Sequence, residues 1–86
     1  MGKLHTVKIL EYFCDDLMSG KKSFEIRQND RGYQTGDSIA FTPVNNLGVP
    51  VDHPIKREVF DIEYVLSGWG LKSNYVCLAI KRREAD

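Results

Sequence analysis

Hydrophobic and polar residues alternate from His5 to Ile9, which is the period of a strand with one covered face. The period then lengthens. Leu10, Phe13, Cys14, Leu17 and Met18 follow helical spacing, with Glu11, Tyr12, Asp15 and Asp16 largely on the other side. Acidic residues early in this stretch suit the helix dipole, and Gly20 supplies a left-handed C-terminal stop, so the spacing predicts an amphipathic helix over residues 10–19. Alternation resumes after Gly20. Lys22, Phe24 and Ile26 interleave with Ser23, Glu25 and Arg27, so burial of apolar surface predicts Phe24 and Ile26 inside and the three polar residues together outside.

Further strands are expected over 38–42, 59–66 and 75–81. In the second of these Phe60, Ile62, Tyr64 and Leu66 share a face opposite Asp61 and Glu63; in the third Val76, Leu78 and Ile80 align. Turn chemistry separates the strands: Asn29-Asp30-Arg31-Gly32, Thr35-Gly36-Asp37 and Ser67-Gly68-Trp69-Gly70. Asn29 or Asp30 is expected to cap its own turn through the side chain. The prolines and asparagines of 43–56 mark an exposed loop.

One helix among five strands argues against a doubly wound parallel sheet. It predicts a mainly β, α+β fold, a curved and mostly antiparallel sheet or small barrel capped by the N-terminal helix. Phe24, Ile26, Phe60, Ile62, Val76, Leu78 and Ile80 form its expected core, with Phe13 and Leu17 packed over them.

Composition narrows the class of protein. Eighty-six residues with 42% hydrophobic and 28% charged side chains suit a single globular domain spanning 1–86. Twelve basic and twelve acidic side chains cancel, so any contact with a polyanion must rest on a local patch. Cys14 and Cys77 lack a C-x-x-C partner, and His5 and His53 stand alone in the sequence, which predicts free thiols, no metal and no cofactor. No run approaches the roughly 20 apolar residues of a membrane span, and no secretory segment is legible, so a cytoplasmic protein is expected.

The run Gly20-Lys21-Lys22-Ser23-Phe24-Glu25-Ile26-Arg27 matches G-x-K-x-x-E-x-R, followed by the Gly36-Asp37 turn. This pattern resembles the ASCH domains of the PUA-like superfamily. Phe24-Glu25-Ile26-Arg27 continuing to Asn29-Asp30-Arg31-Gly32, with the later Ser67-Gly68-Trp69-Gly70-Leu71, is most similar to the small DUF3850 family. The resemblance runs from His5 to Ile80. It implies a PUA-like, ASCH-type small curved mixed β-barrel with a cleft beside the first helix, and RNA or a nucleotide-like ligand as the partner.

In such a cleft Glu25 would accept hydrogen bonds from a base edge, while Lys22 and Arg27 neutralise phosphate or carbonyl oxygen. Ser23 lies beside them, Arg31 adds a phosphate contact from its turn, and Trp69 offers a stacking surface. The competing account of Glu25 and Arg27 is a surface ion pair worth about 0 to 1 kcal/mol. Two other classes of function stay open. An amidohydrolase branch resembling this motif carries a threonine nucleophile where this chain has Glu25, and a carboxylate does not replace a hydroxyl in acyl transfer. A protein-interaction module working through the 43–56 loop is the third.

Overall fold

In the computed structural model, which describes residues 2–84, the alternating segments become five strands. They are β1 (Leu4–Leu10), β2 (Phe24–Gln28), β3 (Ser38–Val44), β4 (Phe60–Ser67) and β5 (Tyr75–Arg82), with one helix, α1 (Glu11–Ser19), and a short 3-10 turn at Pro54–Arg57. The strands form a single sheet in the order β1-β3-β4-β5-β2. β1 runs parallel to β3, and the remaining pairs are antiparallel. The sheet curls into a half-barrel whose two edge strands, β1 and β2, face each other across an open seam. The α+β expectation therefore holds, as a partial rather than a closed barrel.

Each strand turns alternate side chains inward, and the core forms where these rows meet α1. Val7, Ile39, Phe60, Ile62, Leu78 and Ile80 are buried there beneath Cys14 and Leu17 of the helix, and Phe13 is partly covered. Leu10 closes β1 rather than opening the helix, which lacks a side-chain N-cap. Gly20 ends α1 at φ 83°, and its N–H bonds to the Leu17 carbonyl at 3.3 Å. A residue with a Cβ is strained in that conformation.

Three expectations change. In β2, Phe24 and Ile26 point outward with 44% and 51% of their surface exposed, whereas Glu25 faces the core. Its strand is therefore one residue out of phase with the hydrophobic pattern. In β4 the pairing shifts between Ile62 and Tyr64, a bulge that turns Val65 toward the core and leaves Tyr64 outside. The 43–56 loop is not wholly exposed. Pro43 and Val44 are the buried end of β3, and Ile55 of the 3-10 turn is completely covered.

Candidate functional site

The seam between β1 and β2 collects the charged residues of the G-x-K-x-x-E-x-R run. After Gly20 the chain doubles back, and the Lys22 N–H bonds to the Asp16 carbonyl at 3.0 Å, which sets the phase with which β2 enters the sheet. Lys22 then points its ammonium at Glu25 Oε1, 2.9 Å away, and at the Phe24 carbonyl, 2.8 Å away. The same ammonium lies 5.0 Å from the Phe13 ring centre and 4.8 Å from that of Phe24, so two aromatic faces share its charge. From the other side Arg27 donates to Glu25 Oε2 at 2.7 Å. Its Nη1 also donates to the Lys8 carbonyl of β1 at 3.1 Å, so one guanidinium spans the open seam.

Glu25 is only 5% exposed, and each of its oxygens receives one cation. A carboxylate is costly to bury, and two charge-assisted hydrogen bonds offset that cost. This arrangement explains the phase of β2. Turning Glu25 inward satisfies three charges together, which outweighs the half-exposure of Phe24 and Ile26. The triad keeps one net positive charge, and the account of Glu25 and Arg27 as a surface pair does not apply.

Beside the triad, Arg27 lines a cleft of about 360 Å³ together with Ile26, Gln28, Asp30, Arg31, Tyr33 and Tyr75. Arg31 reaches it from the turn whose Asn29 Oδ1 accepts the Tyr33 N–H at 3.0 Å, the expected side-chain cap. Tyr33 is buried, and burial raises its phenol pKa against the opposing charges of Arg27 and Arg31. Lys22, Glu25 and Arg27 are thus neighbours at the seam, and Arg31 shares its cleft with Arg27 of these three. Ser23 is exposed just before β2 and lines a different hollow near Leu17 and Arg82. Trp69 stands 90% exposed on the β4–β5 turn, away from the cleft.

Three residues near the seam were not singled out in the sequence: His5, Tyr33 and Asp37. Although solitary in the sequence, His5 places Nε2 2.8 Å from Asp37 Oδ2, and both are buried. Its ring packs 4.7 Å from that of Tyr33. Asp37 also accepts the Lys3 N–H at 2.9 Å and the Gln34 N–H at 3.0 Å. Their placement was signalled weakly, by an inward position in the 5–9 alternation and by a Gly-Asp turn.

The bond from His5, helped by the Lys3 and Gln34 amides, holds the Asp37 carboxyl below its ordinary pKa of 3.8. A carboxyl with a folded pKa below its unfolded one stabilises above the unfolded value, and that contribution disappears as pH falls through the folded one. Asp37→Asn should therefore destabilise the domain at about pH 6, and the gap to the unaltered protein should narrow below about pH 4, as read by urea unfolding. A gap that stays constant down to about pH 2 would contradict this role.

His53 makes the second histidine–carboxylate pair, 2.8 Å from Asp15, and its Nδ1 accepts the Ile55 N–H at 3.0 Å. This pair ties the 3-10 turn to α1. Both cysteines are free, and among the described residues no group of His, Cys, Asp and Glu is arranged to hold a metal ion. No described helix is long and apolar enough to cross a membrane.

Fold and site together define a small α+β half-barrel domain whose open seam is held by one buried carboxylate between two cations. The chain belongs to the DUF3850 family, a domain of unknown function, whose profile matches residues 4–80. It is similar to an uncharacterised 12.9 kDa protein in the GpA 3′ region of Escherichia phage P2, with 41% identity over 39 residues. That match covers 45% of this chain and 36% of the phage protein, so the likeness spans about a third of the relative's length.

Proposed function

We propose that the cleft lined by Arg27 and Arg31 binds a nucleotide or a short stretch of RNA, and that the domain is an ASCH-type, PUA-like binding module acting as a single unit. The observation that carries this reading is the meeting of two guanidinium groups, Arg27 and Arg31, with the partly exposed ring of Tyr75 in one cleft floored by the buried Tyr33. Guanidinium groups suit phosphate oxygens in bidentate geometry, and aromatic faces accept a base or sugar. The G-x-K-x-x-E-x-R pattern and its Gly36-Asp37 turn support the same assignment.

In this reading Glu25, whose two oxygens each receive a cation from Lys22 or Arg27, positions the guanidinium that meets the ligand. Among the described residues no Ser, Thr or Cys side chain lines this cleft, which leaves acyl transfer without its usual hydroxyl or thiol nucleophile.

Titration with nucleosides, nucleoside monophosphates and short single-stranded RNAs, followed by chemical-shift change, tests the reading. Phosphate-bearing ligands should move the signals of Arg27, Arg31 and Tyr33. Arg31→Ala should weaken binding about tenfold, the loss of one charge-assisted contact, with thermal stability unchanged because Arg31 is exposed. Salt should weaken binding only gently, since few phosphates are contacted. If none of these ligands shifts the cleft signals, the nucleic-acid reading fails.

A further inference from the structure

A second hollow, of about 370 Å³, adjoins the cleft of Arg27 and Arg31. It lies between the β4–β5 turn and the turn that follows β2, and Asn29, Ser67, Lys72, Ser73, Asn74 and Tyr75 supply its polar groups. Tyr75 lines both hollows, so one ring stands at their boundary. The two turns are fastened together beside it, because the Asn29 N–H donates to the Asn74 carbonyl at 2.8 Å. The junction of the hollows is therefore fixed by the fold.

The chemistry of the second hollow continues that of the first. The Lys72 ammonium lies 5.6 Å from the Tyr75 ring centre, and Lys72 makes no ion pair among the described residues. No carboxylate among the described residues lines the hollow, so this cation is not neutralised there. Serine hydroxyls and asparagine amides add donors and acceptors of the kind that meet base and sugar edges. The chain at Gly68, which also lines the hollow, is left-handed at three successive residues, Gly68, Trp69 and Gly70, with φ of 73°, 52° and 88°. That conformation is strained for a tryptophan, and strain of this kind collects at turns that hold ligands.

We propose that the two hollows are consecutive subsites, so that the domain holds two adjacent nucleotides of a single strand; this rests on the nucleotide reading of the Arg27–Arg31 cleft given above. The 5′-phosphate and first nucleoside occupy that cleft. The phosphate joining the two nucleotides meets Lys72 beside Tyr75, and the second nucleoside enters the hollow between the turns. Cations on either side of an aromatic ring are the arrangement that tracks a single-stranded backbone while a base stacks. Each hollow alone lies near the lower limit of about 300 Å³ for a small-molecule site, and joined they suit a larger ligand.

Chemical-shift titration of the full chain with ribonucleoside 5′-monophosphates of each base, and with the 5′-phosphorylated dinucleotide of the same base, tests this. For the base that binds best, the dinucleotide should bind about tenfold more tightly than the monophosphate, the gain expected from one added stacking contact. It should also move the signals of Ser73 and Asn74, which the monophosphate leaves in place. Lys72→Ala, at an exposed residue outside the first cleft, should leave monophosphate affinity unchanged and cut the dinucleotide's advantage to about threefold or less. Thermal unfolding confirms that this variant is folded. A dinucleotide that binds no better than the monophosphate overturns the proposal, as does an advantage that survives Lys72→Ala in full. Either result leaves the nucleotide reading of the first cleft standing. If no nucleotide shifts the cleft signals, that reading fails and the two-subsite arrangement fails with it.

Discussion

Phe60→Ala will destabilise the domain by about 3 to 5 kcal/mol, whereas Phe24→Ala will cost about 1 kcal/mol or less. The two phenylalanines look alike in the sequence, each opening an alternating strand, and they differ entirely in surroundings. Phe60 is 2% exposed and pairs with Ile39 of β3 and Arg82 of β5, so it sits where three strands meet. Its ring meets that of Phe41 edge to face, with centroids 5.4 Å apart. Removing it opens a cavity between strands whose backbones are fixed by the ladder, and little can collapse into it. A domain of this size holds only about 5 kcal/mol or slightly more in reserve, so the substitution should remove most of its stability. Phe24 loses only a half-exposed ring and its contact with the Lys22 ammonium. Urea unfolding of both variants decides the matter. Equal losses would mean that Phe24 belongs to the core and that the phase of β2 described above is wrong.

That phase is also where reading the sequence reached its limit. In strands β1, β3 and β5 the larger branched and aromatic residues fall mostly on one side, so alternation named both the strand and its buried face. The helix followed in the same way from Phe13, Cys14, Leu17 and Met18. In β2 both sides make a claim on the interior: Phe24 and Ile26 through apolar area, Glu25 and Arg27 through mutual neutralisation with Lys22. A pattern that counts only hydrophobicity resolves this in favour of the first pair. The flanking cations, three residues before Glu25 and two after it, were the available sign that the carboxylate had partners enough to be buried.

In β4 the pattern failed for a different reason. A bulge adds a residue without any change in composition, so Tyr64 looks as inward as Ile62 until the pairing with Ala79 is known. Long-range partners were equally hidden. His5 and Asp37 are 32 residues apart, and only the parallel pairing of β1 with β3 brings them together. Within the loop, Ile55 gave no periodic signal because a single turn of 3-10 helix is too short to show one.

Glu25 should prove to be a stability residue as much as a binding one. Glu25→Ala leaves the Lys22 and Arg27 charges facing each other across a space lined by Phe13, and neither is well solvated, with side chains 16% and 24% exposed. Breaking such a group by removing one member costs about 3 kcal/mol, the lower end for buried pairs because both cations keep some water. Arg27 would also swing from the Lys8 carbonyl, loosening the β1–β2 seam. Glu25→Gln should fall between the two, since its amide oxygen can accept from one cation while its NH2 meets the other unfavourably. Replacing the whole triad tests whether charge compensation is the cause. Lys22→Met, Glu25→Leu and Arg27→Met together remove the need for compensation and should recover most of the stability lost in Glu25→Ala. Binding in the cleft should not recover, because the guanidinium is gone. If the triple variant is less stable than Glu25→Ala, then the hydrogen bond from Arg27 to β1, rather than neutralisation of Glu25, holds the seam.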